Sequence, residues 1–156
     1  MPTPIHYHFQ QRFAVPTRKA YDWCTDYSPE DHALMGDRDG KRTISQFTNS
    51  TVILTDTFQV AGSTVEKQKL VQLYPEMLFW TSTHLTGPAK YSQFLYQITA
   101  DDDNASHIDF TGVFLDYTHE KMSKADAEKV ADKLCKEDAA AWVILAKAME
   151  KALCKK

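Results

Sequence analysis

Cysteine is scarce in this chain, with three residues in 156, at positions 24, 135 and 154. An odd number at wide spacing builds neither a disulfide framework nor a zinc pattern. It fits reduced thiols in a cytoplasmic protein. Lysine and arginine never run longer than two, and the net charge is −3. Nucleic-acid binders carry a basic face, so no nucleic-acid partner is expected. No apolar run approaches the ~20 residues of a bilayer span, so no membrane span is expected either. The opening Met1-Pro2-Thr3-Pro4-Ile5-His6 lacks a basic stretch followed by an apolar one, and no signal peptide is read there. The five glycines form no phosphate-cradling loop, and no Ser–His–Asp order or Cys–His pair emerges. No cofactor is expected.

What is present describes a folded domain. The residues are 43% hydrophobic and 25% charged, an ordinary globular balance. Domains take roughly 100–200 residues, so residues 1–156 read as one. A chain of this size buries about two-thirds of its unfolded surface and needs no covalent staple. The aromatic share, 12%, suffices for a dense core or an apolar cavity.

Residues 5–13 read as a strand. Ile5, Tyr7, Phe9 and Phe13 share one face, and His6, His8, Gln10 and Arg12 share the other, the period of a half-buried strand. Pro16 sets up a helix over 17–24. Ser28-Pro29-Glu30-Asp31 repeats that signal with a cap-type residue, a proline and acids, predicting a short helix to about Met35 that stops at Gly36.

From residue 42 the pattern changes to strands: 42–49, 51–61, 64–74, 77–86, 90–100 and 106–118. The breaks between them are short, so consecutive antiparallel hairpins are the simplest joining. Gly112, inside the last strand, suggests a bulge or sharp bend. Residues 123–152 then read as a long helix. Ser123-Lys124-Ala125-Asp126 resembles a capping box. About 30 residues without glycine or proline follow, spanning roughly 45 Å. Val130, Leu134, Ala141, Trp142, Leu145, Ala148, Met149 and Ala152 make its apolar stripe.

The order is strand, two short helices, six antiparallel strands and a long C-terminal helix. It resembles the helix-grip fold of the START-like, birch-pollen-allergen-like superfamily, often called SRPBCC. The stretch from Phe13 through Pro16 to Trp23 and the closing helix resemble members locally as well. The resemblance implies an α+β fold in which a curved, seven-stranded antiparallel sheet wraps the C-terminal helix, with an apolar cavity between them. Members bind lipids, sterols or polyketides, and some are cyclases. The glycine-rich loop of the plant allergen branch is missing, since the turn here is Phe47-Thr48-Asn49-Ser50-Thr51. The hormone-binding or allergen role is therefore not carried over. The iron-ligand motifs of the ring-hydroxylating relatives are absent too.

Asp138 is the most informative polar residue. At ~100° per residue it falls near the middle of the stripe formed by Val130, Leu134, Ala141, Leu145 and Met149. An unpaired carboxylate there costs several kcal/mol or takes a large upward pKa shift. Either a strand side chain satisfies it, or it anchors or protonates a ligand. His84 shares its phase with Leu78, Trp80 and Ser82, while Phe79, Thr81, Thr83 and Leu85 hold the opposite phase, so the pattern leaves its direction open. Facing inward, it is suited to proton transfer near neutral pH. Trp80, Phe94, Tyr96, Phe110, Phe114 and Trp142, with Leu145, are candidates to line a cavity or simply to fill a core. His6 and His8 have chelating spacing but face away from Tyr7 and Phe9. Only His107 and His119 are available as third ligands, so no metal site is expected. Glu30-Asp31-His32 is explained by charge at a helix start.

Three readings follow. One is a carrier or binder of a small hydrophobic molecule (lipid, polyketide or aromatic). Another is a cofactor-free cyclase or dehydratase using Asp138, with His84 and Tyr96, in the same cavity. The third is a protein-interaction module of the chaperone-stimulating kind with the cavity collapsed. A homodimer stays open on the commonness of symmetric pairs, with no stripe dedicated to it.

Overall fold

Side-chain alternation builds the sheet. In β1 (Thr3–Phe13), Ile5, Tyr7 and Phe13 are buried, while His6, His8, Gln10 and Arg12 are exposed. The computed structural model describes residues 1–36, 39–118 and 120–154. Pro16, extended at φ −63°, caps α1 (Thr17–Cys24), which buries Ala20 and Tyr21. The next helix, α2 (Asp31–Leu34), is a single turn and starts later than expected. Pro29 lies in the turn before it, where the Asp31 N–H donates to the Ser28 carbonyl at 3.1 Å.

Six strands follow: β2 (Lys41–Gln46), β3 (Thr51–Val60), β4 (Ser63–Tyr74), β5 (Phe79–His84), β6 (Gln93–Ala100) and β7 (Ser106–Asp116). Ala61 and Gly62, both at positive φ (50° and 79°), close the β3–β4 hairpin in the two-residue turn that matches strand twist. β5 starts two residues late because Pro75–Met77 forms a 3-10 turn and Leu78 takes a left-handed conformation. β6 starts three residues late because a turn holding Tyr91 at φ 68° occupies the connection.

All pairs are antiparallel, in the order β1-β7-β6-β5-β4-β3-β2. Gly112 is not a bulge. It pairs in unbroken register with Tyr7 on one side and Phe94 on the other. Its role is close approach, since a Cβ there would lie 2.6 Å from Tyr7 Cε1.

α3 (Lys124–Leu153) lies along the inner face of the curved sheet. Ser123 Oγ accepts from the Asp126 N–H at 3.1 Å, so the cap forms as the sequence predicts. Ala146 and Met149 are buried in a core with Phe13, Val15, Leu54, Val71, Ile98 and Ile108. The stripe drifts at its end, where Ala152 is exposed and Leu153 is half-buried. Among the described residues no helix is long and apolar enough to cross a membrane.

A candidate ligand cavity between sheet and helix

Between α3 and the sheet the core does not close. A cavity of about 330 Å³ adjoins a second lobe of about 240 Å³. Lys69, Tyr96 and Trp142 line both. The strand phases explain the lining. Trp80 and Ser82 are buried and His84 lines the smaller lobe, which settles the direction of that strand: the Leu78–Trp80–Ser82–His84 phase faces inward.

Trp80, Tyr96, Trp142 and Leu145 line the larger lobe. Phe94, Tyr96, Phe110, Trp142, His84 and Asp138 line the smaller. Phe114 lines neither and packs against the Tyr7, Phe94 and Phe110 cluster. The aromatic wall is ordered. Trp80 and Tyr96 stack at 4.7 Å and 4°, Tyr21 meets Trp80 edge-on at 5.6 Å, and Trp142 closes on Tyr96 at 5.9 Å.

Asp138 has a partner. The Tyr7 hydroxyl donates to its Oδ2 at 2.5 Å. Burial pushes the Asp138 carboxyl up, the Tyr7 bond opposes this, and neighbouring Glu137 adds to it. Burial and the same bond hold the Tyr7 phenol far above its ordinary value. Burial also raises Tyr96, with Asp138 adding. His84 is pushed down to about 4 by burial, then by Lys69 and Lys67, against a smaller pull from Asp56. Its imidazole is neutral at neutral pH.

The far end of the larger lobe is ionic, and the sequence reading missed it. Asp56 on β3 is 1% exposed. Arg42 on β2 grips it with Nε–Oδ1 at 2.7 Å and Nη2–Oδ2 at 3.2 Å, and reaches Asp31 at 3.2 Å. His32 Nε2 lies 3.3 Å from Asp56 Oδ1, and Lys69 Nζ lies 3.6 Å from Oδ2. A buried carboxylate is tolerated when such donors saturate it. Burial alone would raise Asp56. The Arg42 bonds and the charges of Lys69, Arg42 and His32 outweigh it and hold it below its usual range. Lys69 is lowered, chiefly by burial. The residues were findable, because Asp56 shares its phase with Val52 and Leu54, and Lys69 shares its phase with Val71 and Leu73. A charge in an apolar phase is a buried charge. Asp31 and His32, assigned to a helix start, belong to this wall.

His6 and His8 lie on the outer face, with His8 3.4 Å from Asp109. His107 bonds Asp101 at 2.6 Å, and His119 lies outside the described residues. Among the described residues no cluster of His, Cys, Asp and Glu is arranged to hold a metal.

No protein-family profile matches the chain, and no curated protein sequence matches it. Solved structures do. An aromatase/cyclase, Zhui, from Streptomyces sp. R1128 superposes with TM-score 0.73 at 13% identity, covering 96% of this chain and 95% of that one. Norcoclaurine synthase from Thalictrum flavum, in complex with dopamine and hydroxybenzaldehyde, gives 0.70 at 14%, covering 98% and 88%. Ara h 8.0201 gives 0.70 at 12%, covering 96% and 99%. At these identities the likeness is one of architecture, and together with the element order, the antiparallel sheet and the gripped helix it places this chain in the START-like, birch-pollen-allergen-like helix-grip fold.

Proposed function

We propose that the protein binds or carries a small hydrophobic molecule with a flat aromatic body in the cavity between the sheet and α3. The observation behind this reading is the larger lobe itself. At about 330 Å³ it is within the range of small-molecule sites, and such sites pair apolar walls with a few placed polar groups. Here the Trp80–Tyr96 stack and Trp142 offer faces for a ring. The solved neighbour that holds dopamine and hydroxybenzaldehyde agrees with a ligand of that size and flatness. An open lobe counts against an interaction module with a collapsed interior. The test is mass spectrometry of the organic extract of purified protein, alongside displacement of a bound apolar dye by aromatic compounds. A protein that neither retains nor binds any of them contradicts the reading.

One observation favours a second reading. His84, Lys69, Tyr96 and Asp138 converge on the smaller lobe. A neutral imidazole facing an ammonium and a carboxyl of raised pKa is a set able to move a proton and hold the resulting charge. A cofactor-free enzyme acting on the same ligand would use it. The discriminating result is turnover of a bound aromatic ligand that is lost in His84→Gln while binding persists.

A further inference from the structure

The two edges of the sheet, β1 and β2, are finished differently. A bare edge is a row of N–H and C=O groups ready to pair with another strand. Along β1 that row is taken up. The Cys135 thiol on α3 donates to the His8 carbonyl at 3.5 Å, and Gln11 Nε2 donates to the Arg12 carbonyl at 2.9 Å. Just beyond the strand, the Ala14 N–H donates to Glu150 Oε1 at 2.9 Å. Along β2 the row is open. The Phe47 N–H donates to the Thr51 carbonyl at 3.0 Å. Ladder groups alternate in direction along an antiparallel strand, so Thr43 and Ser45 turn theirs toward β3, while Arg42, Ile44 and Gln46 turn theirs outward. Among the described residues no other backbone segment pairs with those outward groups, and every residue of β2 except Arg42 is exposed. The devices that keep an edge single are missing as well. Residues 41–47 hold no proline, and the register with β3 runs without a bulge. The Arg42 guanidinium is committed to Asp56 and Asp31, which leaves Lys41, at the start of the strand, as the only other charge in this stretch. Ile44 is 46% exposed and Phe47 65%.

We propose that β2 is the seam of a homodimer, in which it pairs antiparallel with β2 of a second copy about a two-fold axis at Ile44. The outward groups of Arg42, Ile44 and Gln46 permit this register, and it aligns the whole stretch from Lys41 to Phe47. Each Ile44 then meets its own counterpart, Arg42 meets Gln46, Thr43 meets Ser45 and Lys41 meets Phe47. No like charges are opposed, and the strand is complementary to itself, as a two-fold interface requires. Moving the axis to Arg42 would set two guanidinium stems side by side and leave Phe47 uncovered. A strand of another protein would satisfy the same backbone groups, but it would have to supply partners for Ile44 and Phe47 that a second copy already carries. The joined sheets share one concave side, so both cavities stay on the same face, and the dimer does not depend on what they hold. A single short seam buries less surface than a standard interface, which puts the dimer in the weak class, with Kd on the order of 10–100 µM.

The test is sedimentation equilibrium of the full chain between about 1 and 500 µM, in reducing buffer so that exposed Cys154 forms no cross-link. The wild-type protein is expected to pass from monomer toward dimer across that range. Ile44→Lys sets two ammonium groups on the axis and should raise Kd at least about tenfold. Because Ile44 is exposed in the monomer, this variant keeps the fold, as near-ultraviolet circular dichroism verifies. The register has its own readout. Thr43 and Ser45 of opposite copies form a non-hydrogen-bonded pair, with Cα atoms about 4.5 Å apart, within disulfide range. In a Cys154→Ser background, Thr43→Cys combined with Ser45→Cys should give a cross-linked dimer under mild thiol oxidation, with peptide mapping joining position 43 to position 45. A protein that stays monomeric at about 500 µM overturns the proposal. A dimer that Ile44→Lys leaves intact, or that forms no 43–45 cross-link, also overturns it and puts the contact on another surface.

Discussion

The ring of Tyr7 lies on the bare backbone of Gly112, so close that a Cβ there would come within 2.6 Å of the ring. The two are directly paired across β1 and β7. This approach lets the ring lie low on the sheet, and the Tyr7 hydroxyl meets Asp138 on α3. A missing side chain thus sets the contact that ties the helix to the sheet at the smaller lobe. Gly112→Ala should lower stability by about 1–3 kcal/mol, the usual cost of overpacking, read as a fall in the urea midpoint. Combining it with Tyr7→Leu should cost less than the sum of the two single changes, since the residues touch.

Asp138 and its pH dependence form a second prediction. Burial raises its folded pKa above the unfolded value, with the Tyr7 bond opposing. A carboxyl raised on folding favours the folded state while protonated. That contribution is full below the unfolded pKa, about 3.9, and is lost as pH rises through the folded pKa. Asp138→Asn should therefore be no less stable than the wild type at pH 7, and should gain relative to it between pH 4 and neutrality. Thermal melts across that range check this. Tyr7→Phe removes the bond that lowers Asp138 and should raise the Asp138 pKa further, as read by carboxyl carbon shifts in NMR.

His84 gives a prediction of opposite sign. Its folded pKa is about 4, against about 6.5 for a free imidazole. The group therefore contributes stability above 6.5 that is lost as pH falls toward 4. Its ring resonances should titrate near 4. Lys69→Met removes a cation that pushes it down, so the titration should move up. Unchanged titration would separate the two side chains, contrary to their direct pairing across β4 and β5 and their shared lobe.

The ionic wall predicts the largest stability effect. Asp56→Ala leaves Arg42 and Lys69 without the carboxylate between them. Removing one partner of a buried pair costs about 3–5 kcal/mol. Because the folded pKa of Asp56 is lowered, its contribution is present above the unfolded value and is lost as pH falls through the folded one. Urea unfolding of Asp56→Ala at pH 7 and pH 3 should show a large deficit at the first and a smaller one at the second.

These residues also show what could be read in advance. The fold was legible because its devices are local. The alternation in β1 and β7, the Pro16 start and the Ser123 cap each depend on neighbours in sequence. Asp138 could be placed on the apolar stripe of its helix and Tyr96 among the alternating aromatics of its strand, but the phase of β5 stayed open until the burial of Trp80 and Ser82 fixed it. The ionic wall was legible only in part, since Asp56 and Lys69 sit in apolar phases, but their pairing needs the β2–β3–β4 register to bring Arg42 alongside. Gly112 was read as a bulge or a sharp bend; it pairs without a bulge, and the close approach that a glycine permits there involves a ring on β1, about a hundred residues away. Phe114 has the inward phase of its strand, yet it stops short of the lobes and packs among Tyr7, Phe94 and Phe110.

The central claim, a ligand cavity between sheet and helix, is tested most directly by the protein's own tryptophans. All three, Trp23, Trp80 and Trp142, line the larger lobe. Titration with N-phenyl-1-naphthylamine should quench their emission by energy transfer to the dye, saturating at one dye per chain, and Ser82→Phe, which fills the lobe from β5, should abolish the effect in a folded protein. Absence of saturable transfer in the wild-type protein, or the same transfer in a folded Ser82→Phe, would contradict the account.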